Sequence, residues 1–199
     1  MKEQIKAHSF PQVYKWLGLD LNKLGCVMLD VEPLSVSHWL GQDSVTSYIH
    51  SLPLHKSEHK DRFWIDGWVA DKTSHITLLY GLLDEAKNFE LHISQVLSGW
   101  ELEEVEIEDI GFFSSPYPDD EYWCIVAHIK PTERLLEGHQ RLEFLPHINT
   151  FAGYKPHLTL CYIKKVDEIQ RDHFIEDFRK EWKGKKLRIA PGINLGGNK

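Results

Sequence analysis

Two periods of hydrophobic residues alternate along the chain, and each change of period marks an element. Val13, Trp16 and Leu17 are spaced as one face of a helix over residues 10–21, and Trp39, Leu40, Val45, Tyr48 and Ile49 predict a second helix over 34–52. Between them, GCVMLDV (25–31) is a short run of strand formers closed by Pro33. Residues 54–74 are polar and read as a long loop or short hairpin. A strand is expected over 75–79, then an amphipathic helix over 84–97 that opens on acids and stops at Gly99. LEEVEIEDIGFF (102–113) alternates, with Val105, Ile107 and Ile110 inward and the acids on a solvated face. The turn chemistry of SSPYPDDE joins it to a strand over 122–129, which predicts a hairpin. A helix over 131–145 starts at Pro131, a strand covers 157–163, a helix 166–182, and a last strand or extended arm 186–193. Helices interleaved with antiparallel pairs predict an α+β fold in one domain, 1–199, with two lobes and a loose GGNK tail.

Within this pattern one frame occurs twice. HITLLY begins at His75 and HLTLCY at His157, and each reads His, aliphatic, Thr, Leu, any residue, Tyr. On a strand, side chains alternate, so His75 and Thr77 share one face while Ile76 and Leu78 share the other. His157 and Thr159 stand in the same way against Leu158 and Leu160. On a regular strand, Tyr80 and Tyr162 would fall on the face away from the histidines. If the two strands line one cleft, two imidazoles and two hydroxyls converge. That set suits phosphodiester chemistry. Histidine titrates near neutral pH, so one ring can take a proton from an attacking hydroxyl while the other protonates the departing oxygen. The threonines can donate to the non-bridging oxygens as charge builds on them. This logic needs no metal and no cofactor. Among 12 histidines, one His-x-Thr would be unremarkable; two with matching Leu and Tyr are a motif.

The frames HITL and HLTL resemble the motifs of the two-histidine phosphoesterase superfamily, which includes LigT-like RNA 2′,5′ ligases and cyclic phosphodiesterases. The resemblance implies a bilobal α+β fold, with two antiparallel sheets around a central cleft and helices outside, and a catalytic set of His75, Thr77, His157 and Thr159. GCVMLDV followed by HITLLYGLL is also similar to the phage anti-CBASS nucleases, which degrade cyclic oligonucleotide messengers of bacterial defence. That likeness implies metal-independent cleavage of 3′–5′ linkages with the ribose 2′-hydroxyl as nucleophile, in the host cytoplasm. Which histidine is acid and which is base stays open.

Charge narrows the partner. A formal net charge of −7 disfavours long nucleic acid, which binds through a basic surface, and leaves a small cyclic oligonucleotide as the expected ligand. Base stacking would need exposed aromatics, and Trp68, Tyr117, Trp123 and Tyr154 are the candidates, with Lys155 bordering the cleft. No apolar run reaches membrane-spanning length and no secretory leader opens the sequence, so a cytosolic protein is expected. The three cysteines, Cys26, Cys124 and Cys161, lie in apolar runs and are expected to be reduced core residues. HKSEH (55–59) has the residue order of one zinc-peptidase class but no apolar helical face to present it, so a solvated loop is expected there. His92 and His128 are expected to be structural. Two alternatives stay open beside the messenger phosphodiesterase: an enzyme for RNA ends and 2′,3′-cyclic phosphates, and a non-catalytic sponge that sequesters the messenger. The oligomeric state is not legible in the sequence.

Overall fold

A computed structural model describes residues 24–32, 75–114, 122–149, 153–164 and 168–197. The helices expected over 10–21 and 34–52, the loop over 54–74 with HKSEH, Trp68 and Tyr117 lie outside the described residues. The elements run β1 (Gly25–Asp30), β2 (His75–Leu82), a 3-10 turn (Ala86–Phe89), α1 (Glu90–Val96), β3 (Glu104–Ser114), β4 (Tyr122–Ile129), α2 (Glu133–Leu142), β5 (His157–Lys164), α3 (Glu168–Trp182), β6 (Lys186–Arg188) and β7 (Asn194–Gly197). Among the described residues, no helix is long and apolar enough to cross a membrane.

The α+β reading holds, with one correction. In place of two separate sheets, the strands form one seven-stranded sheet in the order β6-β3-β4-β5-β2-β1-β7, with every pairing antiparallel. β3 and β4 pair from Ile107↔Ile129 to Ser114↔Trp123, the expected hairpin. The sheet divides naturally at β2 and β5, which meet at the single rung Ile76↔Leu158.

One face of the sheet carries the core. Val27, Leu29, Ile76, Leu79, Ile107, Ile110, Ile125, Ile129 and Leu158 are buried together with Leu135 and Leu142 of α2 and Phe178 and Trp182 of α3. The acid-rich β3 keeps Val105, Ile107 and Ile110 inward despite their uneven spacing, because Glu108 is skipped between the pairs Ile107↔Ile129 and Asp109↔His128. That bulge turns Asp109 away from the core. α2 begins one residue after Thr132, whose hydroxyl accepts the amide hydrogen of Leu135, an N-cap that the Pro131 signal placed nearly correctly.

The C-terminal arm departs from expectation. It splits into β6, paired with β3, and β7, paired with β1, so Gly196 and Gly197 belong to a strand rather than to a loose tail. Asn-Leu-Gly-Gly has little strand propensity of its own; β1 supplies the order. A Cβ on Gly196 would come within 2.2 Å of Met28 Cε and 2.7 Å of Cys26 Sγ, so only glycine lets those two side chains lie across β7. Cys26 and Cys124 are half-buried, not core residues; β1 buries Val27 and Leu29 and turns Cys26, Met28 and Asp30 to the other face.

Candidate active site

The open face of the sheet carries both frames. The rung Ile76↔Leu158 joins the aliphatic residue of one frame to that of the other, and both side chains are buried in the core. His75, Thr77, His157 and Thr159 therefore stand together on the opposite face, all half-buried. Carrying the antiparallel register one step each way sets His75 opposite Thr159 and Thr77 opposite His157. Each imidazole faces the other frame's hydroxyl, and the two imidazoles are diagonal neighbours. Diagonal residues on paired strands have Cα atoms roughly 7–8 Å apart, which leaves room for one tetrahedral phosphate between the rings.

The frames share a further feature that regular alternation does not anticipate. β1 pairs Met28 with Thr77 and then Val27 with Leu79, skipping Leu78; β4 pairs Val126 with Thr159 and then Ile125 with Cys161, skipping Leu160. Both strands thus bulge at the fourth residue of the frame. A bulge inserts one residue and reverses the side-chain parity beyond it. In β2 the consequence is direct: Leu78 and Leu79 are both buried, and Tyr80, paired with Cys26, is exposed on the histidine face. The expectation that Tyr80 points away is corrected on that ground. The adjacent apolar residues Leu78-Leu79 are the sequence signal for it in β2, since a half-buried regular strand does not bury two neighbours.

His157 is the better defined imidazole. Its Nδ1–H donates to the carbonyl of Lys155 at 2.8 Å, which leaves Nε2 as the ring's basic nitrogen. The edge of Phe113 packs against the ring with centroids 4.9 Å apart. Burial holds its pKa below the ordinary histidine value; the Lys155 carbonyl opposes that shift, and the neighbouring His128 and His75 rings add to it. His128 stands directly across from His157 on β4 and shares Phe113, at 5.8 Å between centroids. Burial lowers its pKa too, against the pull of Asp109, its partner on β3. The ring fits only because position 111 is glycine: a Cβ there would lie 2.5 Å from His128 Nε2. His128 therefore belongs to the site's surface, a role missed because its apolar strand neighbours suggested a structural residue.

Beyond His128 the face ends in an open groove of about 550 Å³ between β3 and α3, lined in part by Asp109, Gly111, Asp172, Glu176 and Arg179. Arg179 closes one side, donating to Asp109 at 2.5 Å and to the Ile110 carbonyl at 3.0 Å. At the other end of the row Asp30 pairs with His75 and accepts a hydrogen bond from Asn194 at 2.7 Å. Cys124 Sγ lies 4.0 Å from the Thr159 hydroxyl.

Of the residues expected to stack on bases, two are placed otherwise. Trp123 lies on the face away from the histidines, edge-on to Phe112 at 5.1 Å and 4.8 Å from the guanidinium of Arg171. Tyr154 is stacked flat on His139, 3.9 Å between centroids and 8° between planes, with its hydroxyl donating to the Thr77 carbonyl at 3.0 Å. Burial raises its pKa, so it is a neutral phenol. Lys155 has an exposed side chain, and its carbonyl orients His157.

The chain has counterparts among known proteins. The sequence profile of the 2′-5′ RNA ligase superfamily matches residues 50–190. No curated protein sequence matches the chain. The fold is similar to the structure of Kluyveromyces marxianus Usb1, with a TM-score of 0.51 and 14% identity over 89% of this chain and 95% of that one. It is similar also to the same protein with uridine monophosphate, with a TM-score of 0.50 and 14% identity over 90% and 96%. The family match spans most of the chain and both frames, and the chain belongs to the 2′-5′ RNA ligase superfamily of two-histidine phosphoesterases, a phosphodiesterase by that membership.

Proposed function

We propose that the protein cleaves 3′–5′ linkages in small oligonucleotides without a metal, with His157 as base and His75 as acid. The observation that carries this reading is the rung Ile76↔Leu158, which sets two His-x-Thr frames side by side on one open face. His157 suits the base because its pKa lies below the ordinary value and its Nδ1 is committed to a carbonyl, so a neutral ring offers Nε2 to a proton. His75 takes the acid by elimination. In the first step the ribose 2′-oxygen bonds to phosphorus and its proton passes to His157 Nε2. The bond from phosphorus to the 5′-oxygen breaks, and that oxygen takes a proton from His75. The products are a 2′,3′-cyclic phosphate and a 5′-hydroxyl. Water then opens the cyclic phosphate with the two proton transfers reversed. Thr77 and Thr159 donate to the non-bridging oxygens, where charge accumulates.

The substrate we favour is a small cyclic oligonucleotide of the kind used as an antiphage messenger. The net charge of −7 and the carboxylates at both ends of the row, Asp30 and Asp109, suit a short ligand better than a long polyanion. A second reading has its own support: the 2′-5′ RNA ligase match, and a fold neighbour solved with uridine monophosphate, favour action at RNA ends or on 2′,3′-cyclic phosphates.

One panel separates these readings. Cyclic di- and trinucleotides, and an RNA ending in a 2′,3′-cyclic phosphate, are incubated with wild type, His75→Ala and His157→Ala in EDTA. Messenger cleavage lost in both variants is the expected result. Preferred turnover of the RNA end favours the second reading, and tight binding with intact ligand indicates a sponge. Full activity in both variants removes the proposed acid–base pair.

A further inference from the structure

The bulge in β2 creates a problem that the fold solves with an unusual pair of side chains. β2 and β5 share one rung, Ile76↔Leu158, and beyond it the carbonyls of Thr77 and Leu78 have no rung to β5. A regular strand points successive carbonyls to opposite neighbours. Here both are taken by one stack: Tyr154 Oη–H donates to Thr77 O at 3.0 Å, and His139 Nδ1–H donates to Leu78 O at 2.7 Å. The two rings lie parallel at 3.9 Å. His139 comes from α2, with Glu143 3.5 Å from its Nε2, and Tyr154 lies three residues before His157. The stack thus ties the strand of one frame to the segment that delivers the other.

We infer that the His139–Tyr154 stack is a positioning device that fixes the two H-x-T frames at the separation a shared phosphate requires. It touches neither the substrate nor a reacting atom. It acts through Thr77 and, one rung away, through His75. The alternative, that these half-buried rings merely pack, leaves unexplained why both polar ends terminate on consecutive carbonyls of the bulge. The inference rests on the phosphodiesterase reading for its catalytic consequence, but the spacing of the two imidazoles can be measured without turnover.

Tyr154→Phe keeps the stacked ring and removes only the hydroxyl. Misplacing a catalytic group by about 1 Å can cost 10²-fold, so kcat is expected to fall roughly 10- to 100-fold while KM changes little. In a Thr77→Ala background the same substitution should cost much less, because part of what it misplaces is already gone. Independently of activity, ring nitrogens of His75 and His157 are titrated by NMR, with His128 as the other imidazole that acts on His157. In the wild type the His75 ring adds to the lowering of the His157 pKa, and Tyr154→Phe should weaken that coupling. His139→Gln, which removes the stack but keeps a donor for Leu78 O, should shift both readouts in the same direction if Tyr154→Phe folds poorly. A loss of melting temperature with unchanged kcat and unchanged coupling overturns the inference. A wild type inactive on every substrate sinks the functional reading, and the coupling measurement still decides this one.

Discussion

Ile76 of β2 pairs with Leu158 of β5, and through that rung the two halves of the sheet meet with the two His-x-Thr frames side by side. Both side chains are buried on the core face, Ile76 fully and Leu158 at 2% exposure. The same two residues therefore hold the core together behind and set the site in front.

Truncation at this rung should cost stability and activity together. Ile76→Ala or Leu158→Ala leaves a cavity under the site, and such substitutions typically destabilise by about 2–5 kcal/mol. Ile76→Val should cost about 0.5–1.5 kcal/mol. Urea unfolding measures the first quantity. kcat in the folded fraction measures the second, and the Ala variants should lose turnover beyond what unfolding explains, whereas the Val variant should not.

How much of this was legible beforehand follows from the kind of signal each feature leaves. The frames were readable because strand period and repetition coincide at His75, Thr77, His157 and Thr159. The bulges at Leu78 and Leu160 were not, because a bulge is a break in the period that every parity argument assumes; Tyr80 was misplaced for that reason. β7 was missed because Asn194–Gly197 owes its order to β1 across the chain, not to its own composition. Tyr154 reads as a base-stacking candidate from its sequence position, yet its direction depends on His139 and Thr77, contacts that only the folded chain makes. His128 read as structural until Gly111 was seen to make room for its ring.

Tyr80 and Trp123 should exchange the roles expected of them. Tyr80 is 37% exposed on the histidine face, and Tyr80→Ala should weaken binding of an unpaired base by about 1–3 kcal/mol, read as a rise in KM with the fold intact. Trp123 lies behind the sheet against Phe112 and Arg171, so Trp123→Leu should lower the melting temperature and leave KM unchanged. If the Trp123 substitution instead raises KM selectively, the face assignment is wrong.

Arg171 gives a related test on that hidden face. It is 7% exposed, with its guanidinium 4.0 Å from the Phe112 ring centroid and salt-bridged to Asp172 at 2.8 Å. A planar cation on an aromatic face is not replaced by a compact ammonium, and such a contact is worth about 0.5–2 kcal/mol. Arg171→Lys should therefore destabilise by an amount of that order, measured by chemical unfolding, with kcat per folded molecule unaltered.

Gly111→Ala should act on the site through His128. The new Cβ would stand 2.5 Å from Nε2 of a ring whose strand cannot retreat, since β4 is paired on both sides. Overpacking of this kind costs about 1–3 kcal/mol. The ring must rotate toward Phe113 and His157, and the NMR signals of both histidines should move. A variant with wild-type stability and unmoved His128 and His157 resonances would mean that the ring does not lie over position 111.

Acid should loosen the fold through these same two imidazoles, and the sign follows from their shifts. His128 and His157 both have pKa values held below the ordinary one, first by burial. Between the folded values and the unfolded value near 6.5, the unfolded chain binds more protons than the folded one, so stability rises with pH through that window and falls as pH drops below about 6.5. The urea midpoint should thus be lower at pH 5 than at pH 7.5, and His128→Phe should flatten part of that slope. The same depression keeps His157 neutral and able to accept a proton at neutral pH. The acid limb of kcat/KM should therefore fall below pH 6.5, and the limb should move toward higher pH in His128→Phe, because one of the neighbouring charges that disfavour the protonated His157 ring has been removed.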